Sequence, residues 1–116
     1  MSEEDMPDID GQTIHLQELR RGTVVLACLR LLAEPGYGYG LLESLQARGF
    51  DTDANTLYPL LRRLEKQGHL TSEWNTDDAR PRKFYRTSPE GLRLAQALTD
   101  DFRAIAAAVD ALPEED

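Results

Sequence analysis

The chain has 116 residues, which favours one domain with a single modest core. Hydrophobic residues make up 41% and charged residues 29%, a soluble globular composition. A membrane span is excluded, because the longest apolar run, residues 24–33, is interrupted by Arg30 and falls short of the about 20 residues a span needs.

The net charge of −8 argues at first against a nucleic-acid partner, but it is unevenly spread. Residues 1–18 hold six acidic groups and no Lys or Arg, and residues 88–116 hold seven acidic groups against two arginines. The middle, residues 19–87, holds eleven Lys/Arg against eight Asp/Glu. A phosphate partner feels this local field more than the total. The acidic start carries no signal-peptide pattern, and the lone Cys28 lies in an apolar run and fits a buried thiol in a reducing compartment. A cytoplasmic location is expected.

Residues 1–14 are acidic and poor in apolar groups, so a disordered tail is expected there. A first helix is expected over residues 16–34, its second half apolar nearly all round and therefore central to the core. Pro35 and Gly36 end it, and Gly36-Tyr37-Gly38-Tyr39-Gly40 reads as a turn. The glycines do not follow G-x-G-x-x-G and no Lys-Ser/Thr follows, so a nucleotide loop is not expected. A short second helix over residues 39–48 carries Leu41, Leu42 and Leu45 on one face.

A third helix is expected to begin near residues 54–56 and to run to Gln67, with Asp53 or Asn55 as its N-cap and Gly68 as its stop. At about 100° per residue, Leu57, Leu60, Leu61 and Leu64 fall on one side. Asn55, Pro59, Arg62, Arg63 and Lys66 fall on the other. Strands over residues 69–74 and 82–87, joined by a polar stretch, make a hairpin with Arg80, Arg82 and Lys83 near its tip. Asp77 and Asp78 beside it oppose phosphate. A last helix opens with Ser88 as N-cap, Pro89 in first position and Glu90 at the positive end of the dipole. Its residues Ala95, Leu98, Phe102, Ile105, Val109 and Leu112 are spaced 3, 4, 3, 4, 3, a heptad seam for a partner helix, or alternatively a face packed on its own domain. Residues 113–116 form an acidic tail.

A short helix, a tight connection, a helix with a basic outer face and a basic hairpin have the form of a winged helix-turn-helix. Arg can grip guanine edges or phosphates in pairs of hydrogen bonds, Lys neutralises phosphate, and Asn can read adenine. A basic hairpin tip reaches the backbone or minor groove. The expected fold class is mainly α with a small β-hairpin. Its boundaries are a winged helix-turn-helix over residues 15–88 and a C-terminal dimerisation helix over 89–112.

Five motifs in order then resemble the PadR family of bacterial transcriptional regulators. They are Gly36-Tyr37-Gly38-Tyr39-Gly40-Leu41-Leu42; Asn55-Thr56-Leu57-Tyr58-Pro59-Leu60-Leu61-Arg62-Arg63-Leu64-Glu65; Gly68-His69-Leu70; Arg80-Pro81-Arg82-Lys83-Phe84-Tyr85-Arg86; and Thr87-Ser88-Pro89-Glu90-Gly91. The resemblance spans about residues 16–110. It implies a homodimer built on the C-terminal helix, and repression often relieved by a small aromatic or hydrophobic effector. It also implies a third helix in the major groove, pointing to Thr56, Tyr58, Pro59, Arg62, Arg63 and Lys66, and a wing on the flanking backbone, pointing to Arg80, Arg82 and Lys83. Tyr58 lies at the edge of the packed face, so its role stands between packing and a phosphate bond. Asn55 stands where the family commonly has glycine and either contacts a base or only caps the helix. Ala79 replaces a frequent glycine. The single short C-terminal helix resembles the compact branch of the family. Some compact members bind flat compounds between tryptophans of that helix. Trp74, the only tryptophan, lies in the first wing strand, so that site is not carried over.

An effector is expected, if at all, in an apolar gap between subunits lined by Leu16, Leu19, Leu98 and Phe102. His15 and His69 are the only histidines and belong to no Cys/His cluster, so neither metal, cofactor nor enzymatic activity is expected. The alternative to DNA binding is a winged-helix protein-interaction module, which the acidic termini favour.

Overall fold

The computed structural model describes residues 11–77 and 79–114. The elements in order are α1 (Gln12–Arg21), α2 (Thr23–Leu31), β1 (Gly36–Tyr37), α3 (Gly38–Ala47), α4 (Ala54–Lys66), β2 (Leu70–Asn75), β3 (Arg82–Thr87) and α5 (Pro89–Asp110). The architecture is mainly helical with one antiparallel sheet of order β1-β3-β2.

Two expectations at the N-terminus need correction. Helix α1 begins at Gln12, inside the stretch expected to be disordered, of which residues 1–10 lie outside the described residues. Its sequence lacks Gly and Pro and ends in Arg20 and Arg21, which suit the negative end of a helix. The single helix expected over residues 16–34 is two helices that meet at Gly22. Next to Gly22, the Thr23 hydroxyl donates to the Arg20 carbonyl at 2.6 Å, an alternative partner for a group the helix ladder would use. The second helix also stops at Leu31, earlier than expected, because Pro35 disfavours helical backbone at Glu34.

The turn expected over residues 36–40 contains a strand. Gly36 pairs with Tyr85 and Tyr37 with Phe84, which puts β1 against β3. Helix α3 then starts at Gly38 and buries Leu41 and Leu45. The connection to α4 ends at Asp53, whose Oδ1 accepts from the Thr56 N–H at 2.9 Å. Asp53, not Asn55, is therefore the N-cap, and Asn55 lies inside the helix, exposed.

Helix α4 is the centre of the core. Its buried leucines, Leu57, Leu60, Leu61 and Leu64, pack in one cluster with Cys28 and Leu29 of α2, its C-cap Leu32, Leu45 of α3, and Leu70 and Tyr85 of the sheet. Strands β2 and β3 form the hairpin, in register from Leu70 with Thr87 to Asn75 with Arg82. The base of the hairpin is tied down twice. The Thr87 hydroxyl donates to the Leu29 carbonyl at 2.7 Å, and the Thr87 N–H donates to the Leu32 carbonyl at 2.8 Å. Ser88 then caps α5, accepting from the Gly91 N–H at 3.0 Å while its hydroxyl donates to the Gly68 carbonyl at 2.6 Å.

Helix α5 divides the heptad seam. Ala95 is buried in the chain's own core and Leu98 packs against it. Phe102, Ile105 and Val109 are 52%, 56% and 58% exposed, and Leu112 lies beyond the C-cap Ala111. The first two seam positions thus serve the domain, and only the distal ones await a cover.

Two outcomes follow from this packing. A Cβ on Gly91 would lie 2.1 Å from the His69 carbonyl oxygen, a backbone atom that cannot swing aside. Gly91→Ala is expected to lower stability by about 1–3 kcal/mol in urea unfolding, the usual cost of overpacking. Burial also pushes the Cys28 thiol up to about 12. A disulfide reagent at pH 8 is expected to leave Cys28 unmodified in the native protein and to react at once after denaturation.

Candidate nucleic-acid interface

Because four leucines hold one side of α4, its other side is turned outward. Asn55, Thr56, Pro59, Arg62, Arg63 and Lys66 are all exposed there. Pro59 lacks an N–H and so leaves the Asn55 carbonyl without its ladder partner, which is tolerable on a side that meets water. No carboxylate among the described residues lies within ion-pair distance of Arg62, Arg63 or Lys66. The helix therefore presents one amide, a hydroxyl and three cations along about three turns.

Tyr58 is half-buried, with its ring against the start of α3. A Cβ on Gly38 would lie 2.6 Å from Tyr58 Cε1, so glycine is what lets α3 approach α4 here. The Tyr58 hydroxyl has no hydrogen-bond partner among the described residues, which leaves it available to a ligand while the ring packs.

The wing cations are not gathered at one tip. Side chains alternate across a strand, so neighbours Arg82 and Lys83 point to opposite faces of the sheet. Lys83 faces α4 with Ser72 and Tyr85. Its Nζ lies 3.1 Å from Glu65 Oε1 and 5.4 Å from the Tyr85 ring centroid. Arg82 faces the other way, toward β1 and the start of α3. Its guanidinium lies 4.9 Å from the Tyr37 ring centroid and donates to the Tyr39 hydroxyl at 2.8 Å. Arg80 is exposed between the strands. Asp77 is exposed, its N–H donating to Asn75 Oδ1 at 3.1 Å, and Asp78 lies outside the described residues.

Glu65, Tyr37 and Tyr39 were not singled out from the sequence as site residues. Glu65 occupies the α4 position that borders the wing, and only the strand register reveals its contact with Lys83. The four residues expected to line an effector gap, Leu16, Leu19, Leu98 and Phe102, are not brought together within one chain. A groove of about 890 Å³ between α1 and α4 includes Leu16, Phe50, Leu60 and Arg63 but not the other three. Among the described residues there is no group of three or more His, Cys, Asp or Glu side chains placed to hold a metal. No described helix is long and apolar enough to cross a membrane.

The hydrogen bond from Ser72 foremost, with Lys83 beside it, holds the Glu65 carboxyl below the usual carboxylate range, against an opposing effect of partial burial. Because the folded pKa is the lower one, this tie between α4 and the wing stabilises fully above the unfolded value. It is lost as pH falls through the folded value. Titration of the Glu65 carboxyl by NMR is expected to show that Ser72→Ala and Lys83→Ala each raise its pKa. An unchanged pKa in both variants would rule out this tie between α4 and the wing.

Comparison with known proteins places this geometry. The model of the transcriptional regulator PadR-like family matches residues 25–97, from α2 into α5. The transcriptional regulator Rv3488 of Mycobacterium tuberculosis is 38% identical over 91 residues, covering 78% of this chain and 82% of that protein. The crystal structure of a PadR family transcriptional regulator from Eggerthella lenta superposes with a TM-score of 0.86 at 46% identity, over 92% of this chain and 96% of that one. A transcriptional regulator from Clostridium thermocellum superposes with a TM-score of 0.75 at 25% identity, over 84% of this chain and 99% of the other. The winged helix-turn-helix and the long C-terminal helix are thus the shared fold, and the family is one of transcriptional regulators, not of enzymes. The chain belongs to the PadR-like family of transcriptional regulators.

Proposed function

We propose that the protein is a cytoplasmic, dimeric repressor that binds a pseudo-palindromic DNA operator and is relieved by a small aromatic or hydrophobic effector. Residues 15–88 form the DNA-binding unit and 89–112 the dimerisation helix. The observation that carries the reading is the exposed face of α4, where Asn55, Arg62, Arg63 and Lys66 stand opposite the buried leucines. In this reading α4 lies in the major groove. Arg62 and Asn55 meet base edges, while Thr56, Tyr58, Pro59, Arg63 and Lys66 border the groove and its phosphates. Arg80, Arg82 and Lys83 serve the flanking backbone. Lys83 does so by exchanging Glu65 for a phosphate.

The distal α5 side chains support a dimer. Phe102, Ile105 and Val109, with Ile14, Leu16 and Leu19 on α1, leave two apolar surfaces that one chain does not cover. Burying each large side chain against a partner contributes about 1.5–3 kcal/mol. The effector would sit in the apolar gap beside this seam, lined by Leu16 and Leu19 of one subunit with Leu98 and Phe102.

Sedimentation is expected to give a dimer for the wild type, and monomers or insoluble protein for Phe102→Asp and Ile105→Asp. An unchanged dimer in both variants would rule out the seam. Selection from a random duplex pool is expected to enrich imperfect palindromes with half-sites about one turn apart, about 34–36 Å. Arg82→Ala removes a cation from each of two subunits and is expected to flatten the salt slope by about 2. Arg62→Ala or Asn55→Ala is expected to cost ~1–3 kcal/mol per lost contact and to relax one position in each half-site. A pool from which the protein enriches nothing would favour the protein-interaction module.

A further inference from the structure

Arg82 is held by an aromatic rack that the function described so far does not use. Tyr37 stands on the same sheet face as Arg82, because it pairs with Phe84, two residues along β3. Its position is fixed from three sides. It meets Phe84 edge to face at 6.1 Å, stacks on Tyr39 at 5.9 Å with 12° between the planes, and accepts from Asn75 Nδ2 at 2.6 Å. The Arg82 guanidinium lies over this pair, 4.9 Å from the Tyr37 centroid and 5.9 Å from that of Tyr39, with the 2.8 Å bond to the Tyr39 hydroxyl. Tyr39 remains 49% exposed, so the cluster lies at the surface and is not part of the core.

We propose that Tyr37 and Tyr39 are positioning residues for DNA binding, which hold the wing arginine in the orientation that meets a backbone phosphate. The proposal rests on the DNA-binding reading above. A surface arginine has many rotamers, and a contact that orders it loses that entropy on binding. Ordering it beforehand shifts that cost from binding to folding and raises affinity without a new contact. Tyrosines suit the task because they attract the cation through their faces and bond it through a hydroxyl. On the opposite face of the sheet, Lys83 is paired with Glu65. The rack also joins three separate elements, β1, β3 and the first turn of α3, so the arginine reports the relative placement of wing and helix-turn-helix.

A double-mutant cycle on a duplex selected by the wild type from a random pool tests this. Tyr39→Phe keeps the stack and loses only the bond to Arg82, so the fold is preserved. Thermal unfolding of each variant checks that. Tyr39→Phe is expected to weaken binding roughly 2- to 12-fold per wing, at least about 4-fold for a two-wing dimer, with the salt slope unchanged because the cation stays. In an Arg82→Ala background the same substitution is expected to cost nothing further. Tyr37→Phe, which removes the Asn75 bond, is expected to lose less than Tyr39→Phe and again only while Arg82 is present. Full affinity in Tyr39→Phe, or an equal loss with and without Arg82, would overturn the proposal while leaving DNA binding standing. If no duplex is selected, or Arg62→Ala binds as the wild type does, the DNA-binding reading fails first and the rack with it.

Discussion

Leu57, Leu60, Leu61 and Leu64 recur every three or four residues on α4 and are all buried against α2, α3 and β2. A fully buried leucine contributes about 1.5–3 kcal/mol relative to an exposed one. Turning α4 by a third of a turn would bring several of them into water at once, so the helix has one rotational setting. That setting decides which residues look outward. Asn55, Arg62, Arg63 and Lys66 are presented because they lie opposite the leucines. The Asp53 cap fixes where the helix begins, and with it the height of each outward side chain. Packing in this protein is therefore also the device that sets up the surface offered to a partner.

The wing is held to the helix-turn-helix by two different kinds of chemistry, one on each face of the sheet. On the α4 side, Glu65 accepts from Ser72 and pairs with Lys83, a charged tie that weakens as the carboxylate is protonated. On the far side, Tyr37 and Tyr39 hold Arg82 through rings and a neutral hydroxyl. At its base the hairpin is pinned to α2 by the two hydrogen bonds of Thr87, and Ser88 joins the end of the wing to the end of α4. The two strands are thus tied on both faces and at the base, and Arg82 and Lys83 stand in set places relative to the helix-turn-helix.

Much of this was legible in the sequence because the signals are local. The leucine spacing of α4, its stop at Gly68, the Ser88-Pro89 start of α5 and the two six-residue strands each follow from residues within a few positions of one another. What was not legible depends on contacts between distant residues or on elements too short to have a period. A two-residue strand has no alternation to detect, so β1 looked like a turn. Gly22 sits between two helical patterns that join smoothly, and the break shows only in the bonding at the Arg20 carbonyl, which accepts from the Gly22 N–H and the Thr23 hydroxyl. Tyr39 and Arg82 are 43 positions apart, so nothing near either residue announces their bond. The heptad spacing of α5 runs on through Ala95 and Leu98 although these serve the chain's own core. Periodicity records which face is apolar and not what covers it.

The account stands on α4 having one face for the core and one for DNA. The most direct measurement is an NMR titration of the labelled protein with a duplex it has selected, following every backbone amide and the arginine side chains. The largest shifts are expected at Asn55, Arg62, Arg63 and Lys66 and at the wing around Arg80, Arg82 and Lys83, with Leu57 and Leu61 moving little between them. Shifts confined to α2 and α5, or spread evenly around α4, would contradict it.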